Sequence, residues 1–240
     1  MAVKRSRSAT RMLGVFEAVA SKQPIGVSAL ARELDADKSA IQRDLMTLAD
    51  ANWIRPAPGL SGQWELSPHI LTIARPPYSS DDLRLRARPL LERLRTETGE
   101  TAYLAIQDED HFVVLSAAES HHLLRMVPPV GIVIPMQGSA TARAVLPHLS
   151  NEEQERLYGG PLPDDMRREF AQTLEHGFAL NDEDIVPGAV AMASALTGPG
   201  GGPIGAIVLT GPADRLGPER RVEVGGLLRA TALQLSRELA

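Results

Sequence analysis

Val27 to Asn52, VSALARELDADKSAIQRDLMTLADAN, constrains this chain more than any other stretch. It reads as two helices around a short turn. Ser28 is placed to cap the first, because a hydroxyl there accepts a bond from an otherwise unpaired first-turn amide. Ala29 to Leu34 forms that helix, with Leu30, Ala31 and Leu34 on one side. Asp35-Ala36-Asp37 is the turn, and Asp37 caps a second helix over about Lys38 to Ala51. There Ile41, Leu45, Leu48 and Ala49 recur at i, i+4, i+7 and i+8 and make one apolar stripe. Ser39, Arg43 and Thr47 point away from that stripe, and Gln42 lies on its flank. A long-armed cation, an amide and a hydroxyl in the first two turns suit base edges and phosphates in a major groove. The candidate DNA contacts are therefore Lys38, Ser39, Gln42, Arg43 and Thr47, with Ser28 at the start of the first helix.

An ordinary helical hairpin with a solvated polar face has the same pattern. The residues that follow decide between the two. Trp53-Ile54-Arg55 and Gln63-Trp64-Glu65-Leu66 are short strands around Pro56-Ala57-Pro58-Gly59-Leu60-Ser61-Gly62, a hairpin directly behind the second helix. A further helix, about Ala9 to Ser21, precedes the pair, with Leu13, Phe16, Val19 and Ala20 as its buried face. Helix, helix, turn, helix, hairpin is the order of a winged helix-turn-helix.

The net charge of −5 looks wrong for a DNA-binding chain until it is divided. Residues 1–75 hold ten Lys/Arg against seven Asp/Glu, net +3, and residues 76–240 hold fifteen against twenty-three, net −8. Lys4, Arg5, Arg7 and Arg11 form an N-terminal arm free of acids, suited to backbone phosphates or, equally, to a solubilising tail. An acidic second part limits nonspecific sticking. The chain has no Cys, hence no disulfide framework or thiolate metal site. No apolar run approaches the roughly 18 residues of a membrane span, and the N-terminus lacks an apolar signal core. A cytoplasmic protein is expected.

At 240 residues the chain needs a second domain. His69 to Ala74 is a short apolar segment, and Arg75-Pro76-Pro77-Tyr78 cannot be helical throughout. Ser79 or Ser80 then caps a helix with Asp81 and Asp82 in its first turn. Pro89 suits the first position of a new helix. The expected domains are 1–75 for DNA binding, 76–88 as a linker helix and 89–240 as the second domain. Within it, residues 100–107, 112–118, 123–127, 189–196 and 204–210 read as strands, with an acidic turn at Asp108-Glu109-Asp110 and a glycine-rich turn at Gly198 to Gly202. Helices are expected over Gly138 to Leu146, after the Ser150-Asn-Glu-Glu153 capping box, over Asp164 to His176 with Gly177 as its stop, and over Pro218 to Leu239. The apolar face of the last is Val222, Leu227, Leu228, Leu233 and Leu235. Strands with helices segregated around them indicate an α+β domain.

Five stretches, in order, are VSALARELDADKSAIQRDLMTL, ARPLLERLRTETGETAYLAIQD, VIPMQGSATARAVL, GFALNDEDIVPGAVAMASAL and GAIVLTGPADRL. In combination they resemble IclR-family transcriptional regulators, from about Leu13 onward. The resemblance implies a winged helix-turn-helix, a linker helix and a C-terminal α+β effector domain with a six-stranded, GAF/profilin-like sheet. It also implies a homodimer or dimer of dimers that binds a double-stranded operator and responds to a small-molecule effector. The family's effector pocket lies where the chain enters the helix of VIPMQGSATARAVL. Amides of Gly138, Ser139 and Ala140 at a helix start suit an acidic ligand, although a plain helix capped by Ser139 has the same sequence. This chain departs from the family pattern. Ala142-Arg143 stands where Gly-Lys is common. Members that bind small oxo-acids tend to carry Asp, Cys and Ser where this chain aligns Asn181, Ala191 and Val208, while Thr210 keeps a hydroxyl. Met126, Met136 and Met192 offer an adaptable apolar wall.

Other chemistries find little support. The six His residues lack metal-ligand spacing. Gly198 to Gly205 sits between strands and is a turn, not a phosphate loop. Gly138-Ser139-Ala140 lacks the G-x-S-x-G pattern. Asp182-Glu183-Asp184 has no other catalytic group beside it. The sequence therefore predicts a metabolite-responsive DNA-binding regulator without catalytic residues, metal or cofactor. The alternative is an enzymatic or ligand-binding domain with an accessory helix-turn-helix.

Overall fold

The computed structural model describes residues 6–73 and 78–240. The chain divides into two compact units, residues 1–76 and 77–240.

In the first unit, helix α1 (Arg7–Lys22) is followed by strand β1 (Ile25–Gly26), α2 (Val27–Glu33) and α3 (Lys38–Asp50), then by strands β2 (Ile54–Pro56) and β3 (Gln63–Leu66) and the short α4 (Ile70–Ile73). The hairpin is the expected wing. Strand β1, absent from the sequence reading, pairs with β3 and completes a three-stranded sheet, β1-β3-β2. Gly26 leaves β1 in extended geometry and directly precedes α2. The helix therefore starts two residues before the expected Ala29, and Ser28 lies exposed inside it instead of capping it. Asp37 occupies the N-cap of α3 but its side chain makes no capping bond. The core of this unit is Val15, Val19, Leu30, Ile41, Leu45, Leu48, Ile54 and Trp64. The face of α1 differs from the expected one: Val15, Ala18 and Val19 are buried, while Leu13 is 54% exposed. Apolar residues are dense enough along this helix to support two stripes, and packing on α3 selects one.

In the second unit, α5 (Tyr78–Thr98) leads into β4 (Thr101–Asp108), β5 (His111–Ala118) and β6 (Val133–Pro135). Then come α6 (Ala140–Val145), α7 (Asn151–Tyr158), α8 (Asp164–His176), β7 (Ala179–Asp182), β8 (Ala189–Thr197), β9 (Pro203–Pro212) and α9 (Pro218–Leu239). The six strands form one antiparallel sheet in the order β6-β5-β4-β9-β8-β7. Alternation along each strand sends neighbours to opposite faces. Ala102, Leu104, Ile207 and Leu209 pack with Leu91 and Leu94 of α5 and Leu228 and Leu235 of α9. Tyr103, Ala105, Ala206 and Val208 pack with Ala142 and Val145 of α6 and Phe170 of α8. This is the α+β architecture expected.

Five details depart from the sequence reading. Helix α5 runs unbroken through Pro89, where a new helix was expected. Pro89 and Leu85 are both exposed, so the carbonyl that loses its amide partner faces solvent. Ser79 and Ser80 fall inside α5. Residues 123–127 are not a strand: the place beside β5 is taken by β6, and Leu123 stands fully exposed. On α9 the buried residues are Val224, Gly225, Leu228, Ala232 and Leu235, while Val222 is 74% exposed. Strand β7 was also missed; its four residues are too few for a periodicity to register. The Ser150–Glu153 capping box and the left-handed Gly177 after α8 are present as read, the latter at φ 79°.

Candidate DNA surface and effector cavity

Lys38, Ser39, Gln42, Arg43 and Thr47 are all exposed on α3, opposite the buried Ile41, Leu45 and Leu48. The 3.6-residue period separates the two sets cleanly. The Thr47 hydroxyl donates to the Arg43 carbonyl at 2.9 Å, so its hydrogen is spent inside the helix and only its lone pairs remain for a partner. Arg7 begins α1 and is exposed, and Ser28 is exposed on α2. Both border one groove with Arg32 and Lys38. Arg11, grouped with the arm in the sequence reading, is instead an internal clamp. Its Nε and Nη2 donate to the Asp44 carboxylate at 2.7 and 3.2 Å, tying α1 to α3, and this raises the guanidinium pKa. Lys4 and Arg5 lie outside the described residues.

In the second unit a cavity of about 320 Å³ opens between the sheet and the start of α6. Register builds its floor. Asn181 on β7 pairs with Ala191 on β8, and Ala191 pairs with Thr210 on β9, so the three form one row across the sheet. Ser139, Ala140 and Thr141 line the cavity from the helix side. The Ser139 hydroxyl caps α6 by accepting from the Ala142 amide at 3.1 Å. Met126, Pro128 and Pro129, from the irregular segment before β6, form a wall with Ile185 and Val186. Not one lining residue is charged.

Of the residues assigned to the cavity from sequence, Met126, Ser139, Ala140, Asn181, Ala191 and Thr210 line it. Met192 does not. It follows Ala191 in an extended strand and so points to the opposite face, among the α5 and α9 side chains. Val208 shares the cavity face but is fully buried beneath α6, and Met136 is likewise taken into that core. Gly138 stays outside the lining, although its carbonyl accepts from Asn181 Nδ2 at 2.5 Å. Its left-handed φ of 75° is the conformation that reverses the chain ahead of Ser139.

Sequence reasoning missed Tyr103. Its ring lines the cavity, and burial pushes its hydroxyl above the ordinary phenol range, opposed in part by a hydrogen bond with Thr141. A polar tip within the apolar run Ala102 to Ile106 of β4 was the available signal. The acidic run is also accounted for. Asp182 forms a bidentate pair with Arg221 at 2.6 and 2.7 Å, Asp184 meets Arg143 at 2.8 Å, and Glu183 accepts from the Gly188 amide at 2.7 Å. All three brace structure and none enters the cavity lining.

The family model described as "Bacterial transcriptional regulator IclR C-terminal" matches residues 78–237, two thirds of the chain. The chain belongs to the IclR family. As an IclR-family transcriptional regulator it is 27% identical over 244 residues to the transcriptional repressor IclR of Escherichia coli K12, covering 96% of this chain and 89% of that one. It is 29% identical over 227 residues to the transcriptional repressor AllR of Salmonella typhimurium, covering 89% and 82%. In fold, this IclR-family chain superposes with TM-score 0.82 on an IclR homologue from Microbacterium hydrocarbonoxydans crystallised with 4-hydroxybenzoate, at 20% identity and 97% and 98% coverage. The Thermotoga maritima IclR structure gives 0.77 at 16% identity, covering 97% and 98%. No described helix is long and apolar enough to cross a membrane.

Proposed function

We propose that this IclR-family regulator binds a double-stranded operator through α3, with Gln42 and Arg43 reading bases and Lys38 and Arg7 meeting phosphates. Its operator affinity is set by a small carboxylic acid with an apolar or aromatic body, held in the cavity beside α6. The observation that carries this reading is the lining itself: aliphatic and proline walls around a small group of hydroxyls and one amide, with no charged side chain. Such a lining stabilises an apolar body by about 25 cal/mol per Å² buried, while neutral donors orient the head. A very small oxo-acid has no body to fill these walls. The ligand of the Microbacterium homologue, 4-hydroxybenzoate, has the chemistry inferred for this chain.

The protein acts as a regulator and not as an enzyme, because the lining offers hydroxyls without a carboxylate or imidazole to take a proton from them. It works on DNA in the cytoplasm, as a homodimer or dimer of dimers, since one winged helix covers too little DNA for tight specific binding. Of the two leucines in the expected linker stretch of α5, Leu83 is spent in the core of its own unit and Leu85 is 72% exposed. Leu85 is the one available to a partner.

The test joins both sites. An operator is selected from random DNA, and carboxylic acids of graded size are screened by calorimetry. The expected result is micromolar binding of an aromatic or branched acid that changes operator affinity. Tight binding of glyoxylate or pyruvate, with none of the larger acids, overturns the reading.

A further inference from the structure

Resting on that reading, we infer that the effector must also carry a hydrogen-bond donor, a hydroxyl or an amide N–H besides its acidic head, and that Asn181 selects for it. Asn181 is 2% exposed and lines the cavity. Its amide orientation is fixed by chemistry. The atom facing the Gly138 carbonyl must be the nitrogen, because two oxygens cannot share a bond that neither has a hydrogen to make. The Oδ1 atom accepts no bond from any described residue, yet it is not fully enclosed: among the described residues the fully enclosed, unpaired side-chain atoms are Arg95 Nε and Arg143 Nε. It therefore touches open space, and the open space at this side chain is the cavity.

Thr210, two strands away in the same row, offers the same chemistry. Its hydroxyl donates to the Val190 carbonyl at 3.0 Å, so toward the cavity it presents lone pairs only. Between them stands the Ala191 methyl. This row thus presents two neutral acceptors, Asn181 Oδ1 and the Thr210 hydroxyl oxygen, and keeps one hydrogen, the second on Asn181 Nδ2. The helix side donates. Ser139 Oγ already accepts from Ala142, which leaves its hydrogen to donate, and Tyr103 adds, from β4, a phenol that burial keeps protonated. A ligand with only acceptors satisfies the helix side and leaves Asn181 Oδ1 desolvated and unpaired, which is the costly outcome for a buried polar atom. A bare alkyl or aryl carboxylate is such a ligand. One that adds a hydroxyl satisfies both sides. A cationic donor is disfavoured, because no lining carboxylate would balance it.

The probes are benzoate, its three monohydroxy isomers and their methyl ethers, titrated calorimetrically into the full-length protein. A methyl ether keeps the oxygen and removes the hydrogen, so it separates donation from polarity and size. At least one hydroxybenzoate should bind tenfold or more tightly than both benzoate and its own ether. In Asn181→Leu that ratio should fall below threefold, with thermal melting used to confirm that the variant folds. Thr210→Val is the second variant, with a smaller loss expected. The wild-type comparison stands even if neither variant folds. Benzoate or an ether binding as tightly as every hydroxybenzoate overturns the inference and leaves the carboxylic-acid reading in place, as does a ratio unchanged in a folded Asn181→Leu. Binding of none of the seven, with glyoxylate or pyruvate bound instead, overturns both.

Discussion

Arg215 closes a bidentate pair on Glu100, with Nε to Oε1 at 2.5 Å and Nη2 to Oε2 at 2.7 Å, and Glu100 is fully buried. The same Nη2 also donates to the carbonyl of Leu124, at 3.0 Å. That second bond fixes the irregular segment carrying Met126, Pro128 and Pro129, a wall of the cavity beside α6. Gly211 makes room for the arrangement, since a Cβ there would lie 2.5 Å from Glu100 Oε2.

Arg215→Ala should therefore lower stability by about 3–5 kcal/mol, because it strands a buried carboxylate. Effector affinity should fall with it, as the cavity wall loses its anchor. Urea unfolding followed by ligand titration of the folded fraction reads both effects. Stability unchanged within 1 kcal/mol, taken as about the resolution of such a comparison, contradicts the assignment. Gly211→Ala should destabilise through the same carboxylate.

On the DNA side, Arg43→Ala or Gln42→Ala should cost about 1–3 kcal/mol on the selected operator and shift base preference at one position. Arg7→Ala should weaken all sequences alike and reduce the salt slope by about one. Anisotropy titrations on matched and scrambled duplexes separate the two behaviours. An Arg43→Ala protein with unchanged affinity and preference would remove α3 from the groove.

Much of this was legible in the sequence, and the failures share a physical cause. Long periodic elements such as α3 and α8 were readable because burial on one face imposes a pattern over several turns. Strands β1 and β7 were not, since two and four residues carry no period and form only because a neighbouring strand offers its edge. The same holds in the cavity. Asn181, Ala191 and Thr210 were readable individually, but their single row is a property of register. Met192 was misplaced for want of the strand's phase, and Tyr103 was passed over because its role depends on facing Thr141.

Acid sensitivity should show at Asp182. Hydrogen bonds from Arg221 hold its carboxyl below the ordinary 3.8. A depressed folded pKa stabilises the protein above the unfolded value, and that contribution is lost as pH falls through the folded one. The stability gap between wild type and Asp182→Asn should thus be present at pH 7 and close below pH 4, a boundary about that of a free aspartate. Half of the side chain is exposed, so screening keeps the gap under about 1 kcal/mol. Urea midpoints from pH 3 to 7, a range about spanning carboxylate titration, would expose a gap that instead grows in acid.

Assembly is checked by mass. One chain weighs 25.8 kDa, and light scattering should report twice that or four times it. Leu85→Asp, at an exposed position of α5, should shift the distribution toward the single chain without loss of helix content. A wild-type protein that remains a single chain with operator present removes the symmetric reading of the site.

Ala191→Asp tests the cavity by inserting the wrong charge at its centre. Residue 191 sits between Asn181 and Thr210 in the row that lines the cavity. One Nδ2 hydrogen of Asn181 is committed to Gly138 and the Thr210 hydrogen to Val190, which leaves at most the second Nδ2 hydrogen of Asn181 for a new carboxylate. The added group would be desolvated by any bound ligand and would repel an acidic head. A penalty of about 1–3 kcal/mol corresponds to roughly five- to more than hundredfold weaker binding of the best carboxylic acid found for the wild type. Ala191→Ser adds a hydroxyl with a hydrogen of its own and should cost much less. Calorimetry on both variants decides the point: equal affinities for Ala191→Asp and wild type would place the ligand away from this row of the sheet.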